Sequence, residues 1–370
     1  MTKLLSYRWP LLYAVCAPIL GLSLVHIARA STDFGQWYAS TAFQIFPNTL
    51  GRLFSILPFS ILEFGIYLIP ILLVFGVLNL IANLWTAENR KRIPDQLLKT
   101  TVAMVCLIST ILFMLTLTCS MNYNRSGIAS DINIVVTESS HQDLVQLATL
   151  LIDDLSKLSP QIQTSSDGTF YMDQTAMRDE SKEAMINLGK KYPSLSGYYP
   201  NPKPIVMSSW MSDINLTGIF SPYTIEANYN KDVPDYIIPY TISHELAHLR
   251  GYIREDEAGF IAYLATTSSD SPSLQYSGDL NALSYVLSAL YSDSTHDEYY
   301  TIISSIPKQA RTDLLANEAY WKQHENKASE VATTANDKYL KANAQTDGVK
   351  SYGRMVDLLL AYHKINALAV

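Results

Sequence analysis

The sequence predicts an α-helical membrane anchor of three transmembrane helices, followed by a helix-rich α+β domain. Three observations predict it. Long apolar stretches are confined to the first third of the 370 residues. Beyond Met121 the chain turns acidic, and its hydrophobic residues recur at helical spacing instead of in runs. A strand–turn–strand pattern then precedes the stretch Pro239–Ala265, which carries the chemistry. The division falls near residue 120, giving a membrane part over 1–120 and a second domain over 121–370.

Leu11–Ala28 (LLYAVCAPILGLSLVHIA) is apolar apart from His26 and follows Lys3 and Arg8. A signal peptide begins in the same way. No small-residue cleavage site stands out before Arg29, and further spans follow, so the stretch reads as an uncleaved transmembrane helix. Phe59–Leu84 exceeds the ~20 apolar residues a span requires and fits with some tilt. Thr101–Cys119 is the third span. Between the first two, Thr32–Pro58 carries Phe34, Trp37, Tyr38, Phe43 and Phe46 and reads as a structured or interface-lying loop. Glu63 stands near the start of the second span, where a solvated end is expected.

Basic residues set the orientation. Lys3 and Arg8 precede the first span, and Arg90, Lys91, Arg92 and Lys99 fill the loop after the second. The intervening loop holds only Arg29 and Arg52. The positive-inside rule places the N-terminus and the Arg90 loop in the cytoplasm. Three crossings then put everything after Cys119 outside, which predicts a multi-pass cell-membrane protein with an extracytoplasmic C-terminal domain. Charged residues make up 16% of the chain, low against the usual ~25%. Before Met121 there are eight basic and four acidic residues; the remainder holds 19 basic against 30 acidic, a net charge of −11. An acidic domain without a basic run argues against nucleic acid as a partner. Cys16, Cys106 and Cys119 all lie in the predicted spans, so the exterior domain has no disulfide framework.

His141–Leu158 and Thr175–Tyr192 read as amphipathic helices. Tyr192–Pro204 is a Pro/Gly/Tyr-rich loop, Ile205–Ser209 reads as a strand, and Gly218–Asn228 as strand, turn and strand. Helical patterns follow at Leu280–Tyr291, Ile306–Gln323, Glu325–Ala344 and Val349–Ile365.

Within Pro239–Ala265 lies His244-Glu245-Leu246-Ala247-His248, an HExxH motif. Positions i and i+4 share one face of a helix, so both imidazoles can reach one metal ion, with Glu245 beside them as general base. That pattern points to Zn2+ in a metallopeptidase. Pro239 suits a first helical turn, and Ile242, Leu246 and Leu249 supply a buried face. Gly251 ends the helix. Glu255, Asp256 and Glu257 then open a second helix, placed to fold a third ligand back over the histidines.

RLFSILPFSILEFGIYLI, CSMNYNR, GIFSPYTIEAN, HELAHLRGYIREDEAGFIAYLA and NDKYLKANAQTDGVKSYGRMVDLLLAY together resemble a family of bacterial membrane proteins, number 3810 among the domains of unknown function. The resemblance runs almost end to end. It implies membrane anchoring and a zincin-like, zinc-peptidase-type domain, without a substrate. Glu255-Asp256-Glu257-Ala258-Gly259 also resembles the Glu-x-x-Ala-Asp helix of gluzincin peptidases, including the membrane-bound CAAX-processing type. That likeness implies Glu255 as the third zinc ligand, with Glu257 the alternative. Gly259 stands where the pattern has Asp. The spacing nearly matches that of metzincins too, but Arg254 occupies their third-ligand position and cannot coordinate zinc.

Weaker candidates surround the motif. Tyr223 and Glu226 lie where a zincin edge strand would bind substrate, with packing for Tyr223 and a cap or ion pair for Glu226 the plainer readings. Tyr252, Arg254 and His296 are candidate oxyanion donors, and His324 and His363 read as structural or surface histidines. The expected function is a membrane-anchored zinc metallopeptidase acting on peptide or protein substrates in the cell envelope. The alternative is a non-catalytic zinc-containing membrane sensor or scaffold, for which Glu245 would have no use.

Overall fold

The structure is a computed structural model that describes residues 6–85, 90–342 and 354–368. The chain begins with α1 (Arg8–Ala30), α2 (Thr32–Trp37), π-helical turns at Tyr38–Ala42 and Pro47–Gly51, α3 (Arg52–Ser55), α4 (Ile61–Leu84) and α5 (Ile93–Thr118). Among the described residues three helices, α1, α4 and α5 with its continuation, are long and apolar enough to cross a membrane. On α1, Ala14, Ala17, Gly21, Val25 and Ala28 form one buried stripe. Small residues let two backbones approach closely, and α5 fills the space: a Cβ on Gly21 would lie 3.2 Å from Thr116. Ser109 Oγ donates to Ala14 O at 2.8 Å across the same seam. By contrast α4 is exposed along nearly its whole length and apolar all round, as a lipid-facing span is.

Thr32–Pro58, expected as a loop, is mostly helical. Ser31 caps α2, and Phe43 and Tyr38 pack with Val25, Ala28 and Met121 in a small core of their own. Aromatic side chains without a clean period concealed this.

Beyond the spans follow α6 (Ile128–Asp131), α7 (His141–Leu158), the hairpin β1 (Gln163–Thr164) and β2 (Phe170–Tyr171), and α8 (Gln174–Lys191). Next come β3 (Lys203–Ile205), α9 (Ser208–Asp213), β4 (Gly218–Ser221) and β5 (Glu226–Asn230). The rest is helical: α10 (Ile237–His248), α11 (Glu255–Thr267), α12 (Pro272–Asp293), α13 (His296–Ser305), α14 (Lys308–Gln323), α15 (Lys327–Ala342) and α16 (Met355–Leu368). A helix-rich domain with a small sheet was expected and is found. The expected strand Ile205–Ser209 is displaced: pairing stops at Ile205, and Ser208 already opens α9. Neither the β1–β2 hairpin nor α13 was anticipated. Of the expected helices at the C-terminal end, 343–353 lie outside the described residues.

The core is built around α10, on which every residue but His244 is buried. It packs against α8, α11, α12 and β5. Leu151 and Leu155 from α7, Ile242 and Leu246 from α10 and Leu283 from α12 are fully buried in one cluster.

A three-stranded sheet ordered β3–β5–β4 lies beside α10, with β3 parallel and β4 antiparallel to β5. Glu226, Ala227, Asn228, Tyr229 and Asn230 of the central strand are all buried. At its end Asn230 Nδ2 donates to Ser212 Oγ at 2.8 Å and Leu216 O at 3.0 Å.

Two carboxylates bolt α4 to this sheet. Glu226 accepts from Ile61 N and Leu62 N, both at 3.0 Å, and pairs with Lys203 at 2.5 Å. These are first-turn N–H groups of α4, which have no partner within the helix. Glu63 in turn accepts from Val206 N at 3.0 Å and Met207 N at 2.9 Å. The solvated end expected for Glu63 is therefore wrong: it is 6% exposed and ties α4 to the chain after β3.

Candidate metal centre

The two histidines stand on one face of α10 because they are four residues apart. Their rings are 4.8 Å apart and nearly perpendicular, at 89°. Ligand atoms of His244, Glu245 and His248 all lie within 4.8 Å of one another. After Leu249 the chain reverses at Gly251, whose φ of +83° suits glycine. It then re-enters α11, whose first residue is Glu255. Glu255 Oε2 lies 3.0 Å from His244 Nε2 and 4.0 Å from His248 Nε2. So His244, His248 and Glu255 converge on one point, with Glu245 beside it.

Hydrogen bonding sets the tautomer of His248. Its Nδ1 lies 2.7 Å from Tyr252 O. A carbonyl oxygen only accepts, so Nδ1 carries the proton and Nε2 presents its lone pair toward Glu255. Burial pushes His248 down to about 4, keeping it neutral. At His244 burial acts the same way, but the bond to Glu255 and the charges of Glu255 and Glu245 together outweigh it and raise the pKa. Two imidazole nitrogens and a carboxylate are a donor set suited to zinc.

Glu245 is 5% exposed, and burial pushes it up to about 8, with His244 opposing. It lies against β4 at a glycine. A Cβ on Gly218 would come within 2.5 Å of Glu245 Oε1 and 2.6 Å of Thr241 Cγ2.

The turn between the two helices is held from outside. Arg125 Nη1 donates to Arg250 O at 2.8 Å, its guanidinium lies 3.7 Å from the centre of the Tyr252 ring, and it pairs with Asp131 at 2.7 Å. Tyr252 OH donates to Asp131 at 2.6 Å. Arg125 therefore clamps the carbonyl-bearing turn that orients His248. Sequence reasoning missed both Arg125 and Asp131; the Arg ending CSMNYNR was the available signal.

A family of proteins of unknown function (DUF3810) matches residues 38–360. The chain belongs to that family. The match takes in α4, α5, the Arg125 clamp and the whole of Pro239–Ala265, while α1 lies before it. No curated protein and no solved structure matches the chain.

Other expected residues fall as follows. Glu257, the alternative ligand, points away: it accepts from Ile128 N at 3.2 Å and pairs with Arg254. Burial pushes it up to about 7. Gly259 has no room for the Asp of the gluzincin pattern, since a Cβ there would meet Tyr240 Oη at 2.9 Å. Tyr252 O orients His248 instead. Glu226 is a cap and ion-pair residue, and Tyr223 does not line the site.

A cavity of about 740 Å³ opens over His244, Glu245, His248 and Glu255. None of the expected oxyanion donors lines it. Tyr252 is committed to Asp131, Arg254 to Glu257, and His296 meets Tyr300 edge-to-face beyond the end of α12. Tyr240 and Tyr285 line the cavity in their place. Burial, then the charge of Glu255, pushes Tyr285 up to about 12, so it stays a protonated donor. It sits in an ordinary helical pattern, which gave no hint of this. His324 bonds Asp213 at 2.8 Å and His363 bonds Tyr263 at 2.9 Å, both structural contacts.

Proposed function

We propose that this chain is a membrane-anchored zinc peptidase of gluzincin type, with His244, His248 and Glu255 as ligands. The observation that carries the proposal is the meeting of the two imidazoles and the Glu255 carboxylate at one point. When bound, zinc in such a three-ligand site supplies Lewis acidity and an acidified water. The chain's own residues do the rest. Glu245 takes the water's proton and returns it to the leaving amine. Gly218 leaves the space in which that carboxylate sits. Tyr285, a protonated phenol that lines the cavity, donates to the developing oxyanion in this reading. Among the described residues the outer edge of β4 carries no strand partner, and Gly218, Ile219 and Phe220 of this strand line the cavity. An extended peptide added there would present its backbone to the site.

The basic residues at Arg90–Arg92 and Lys99 support an extracytoplasmic site. A reporter fused after Val370 is then active outside the cytoplasm and one fused near Pro94 inside. The test of the peptidase reading is Glu245→Gln. It should leave zinc content and folding near wild type and lower peptide turnover by ~100-fold or more. Identical cell-envelope peptide patterns in wild-type and Glu245→Gln strains, alongside a clear phenotype on deletion, would leave the sensor or scaffold reading in its place.

A further inference from the structure

The candidate site does not stand away from the bilayer. Leu115 and Cys119, from the last turn of α5 and the residue after it, line the same cavity as His244 and Glu245. Phe220 connects the two. It packs with Leu115 into a cluster of Cys119, Tyr123 and Ile253, and its ring lies 5.9 Å from that of His248. One side chain thus separates the end of the third span from a candidate ligand.

The lipid-facing surface runs almost to this point. Leu107, Ile108, Ile111 and Leu112 of α5 are all exposed. At 1.5 Å per residue, Leu112 lies about 5 Å below Leu115 and about 10 Å below Cys119 along the helix. A second surface reports the same level. Val206 and Met207 are 69% and 49% exposed, and their backbone N–H groups are held by Glu63 at the head of α4. Trp210 on the adjoining α9 is 47% exposed. Apolar and tryptophan side chains beside the start of a span belong in the membrane interface. Taken as membrane spans, these helices set the cavity wall at the level of the bilayer interface.

We infer that the substrate is a polypeptide anchored in the same bilayer by its own transmembrane span, and that it is cut within a few residues of that span. This rests on the peptidase reading above. An extended chain advances about 3.3 Å per residue, so a segment leaving the hydrocarbon reaches the site in roughly two to four residues. Confinement to one bilayer also raises its effective concentration over that of a soluble peptide.

The test uses the full chain in phosphatidylcholine–phosphatidylglycerol vesicles with zinc. Three probes share one randomised segment: attached directly to a polyleucine span, attached through a long Gly/Ser spacer, and free in solution. Products are read by mass spectrometry, and photocrosslinking to the Glu245→Gln chain reads occupancy without turnover. The directly anchored probe should be cut at least ~10-fold faster than the free one, within about four residues of its span. Equal cutting of the free probe, or faster cutting behind the spacer, overturns the inference. Should wild type cut nothing while Glu245→Gln still crosslinks the directly anchored probe in preference, the cavity's occupant is as inferred and the peptidase reading fails. Crosslinking without preference, together with no cutting, sinks both.

Discussion

Gly218→Ala perturbs the site without touching a ligand. The added methyl would lie 2.5 Å from Glu245 Oε1, 2.6 Å from Thr241 Cγ2 and 2.9 Å from Glu245 Cγ. Carbon atoms in good contact sit ~3.5–4 Å apart, so something must move by about 1 Å. The φ of Gly218 does not fall in the left-handed range, so the effect is steric and not one of backbone strain. Glu245 is the end that yields, because the carboxylate is at the tip of a rotatable side chain while β4 is paired along its length to β5. Overpacking of this kind costs about 1–3 kcal/mol in stability. A misplacement of ~1 Å in a reacting group costs roughly 100-fold in rate, or about 2.7 kcal/mol in the barrier. The expected outcome is a ~100-fold fall in kcat with zinc content unchanged. Combining it with Glu245→Gln should add little, since both remove the same function. The assay is hydrolysis of the anchored probe, with zinc measured on the same preparation. Turnover close to wild type would refute the placement of Glu245 against β4 as the working base.

Two further substitutions test what holds the site and the spans. Arg125→Met removes the donor to Arg250 O and the cation over Tyr252, so the turn orienting His248 loosens; zinc affinity, read by chelator competition, should fall ~10–100-fold with all ligands present. Lys203→Met leaves Glu226 buried beside the start of α4 without its cation, costing roughly 3–5 kcal/mol, and Lys203→Met with Glu226→Gln should recover part of the lost melting temperature.

What was legible in the sequence was local. His244 and His248 are four residues apart on one helix, Gly251 needs a positive φ, and Glu255 heads the next helix, so all four report on neighbours in the chain. The three long apolar helices declared themselves by length and hydropathy. What could not be read joins distant segments. Glu63 reaches Val206 and Glu226 reaches Ile61, each across most of the chain before the metal helix, and no periodicity records such a contact. Buried carboxylates resemble solvated ones until their partners are known. β5 was only partly legible, because Glu226, Asn228 and Asn230 alternate with Ala227 and Tyr229 as in a strand with one solvated face, whereas both faces are buried. Tyr252 was singled out for its phenol, whereas its carbonyl oxygen is the atom that faces the site. Tyr285 enters the site only because α12 crosses α10, which its own spacing does not foretell.

The central claim is a metal held by His244, His248 and Glu255, and zinc content tests it most directly. The purified full chain should hold about one zinc, the number a single three-ligand site accepts. His244→Ala or His248→Ala should abolish it and Glu255→Gln should weaken it sharply, while Glu257→Gln should leave it in place, because Glu257 faces Ile128. A chain without stoichiometric zinc, or one emptied by Glu257→Gln and not by Glu255→Gln, would contradict the account.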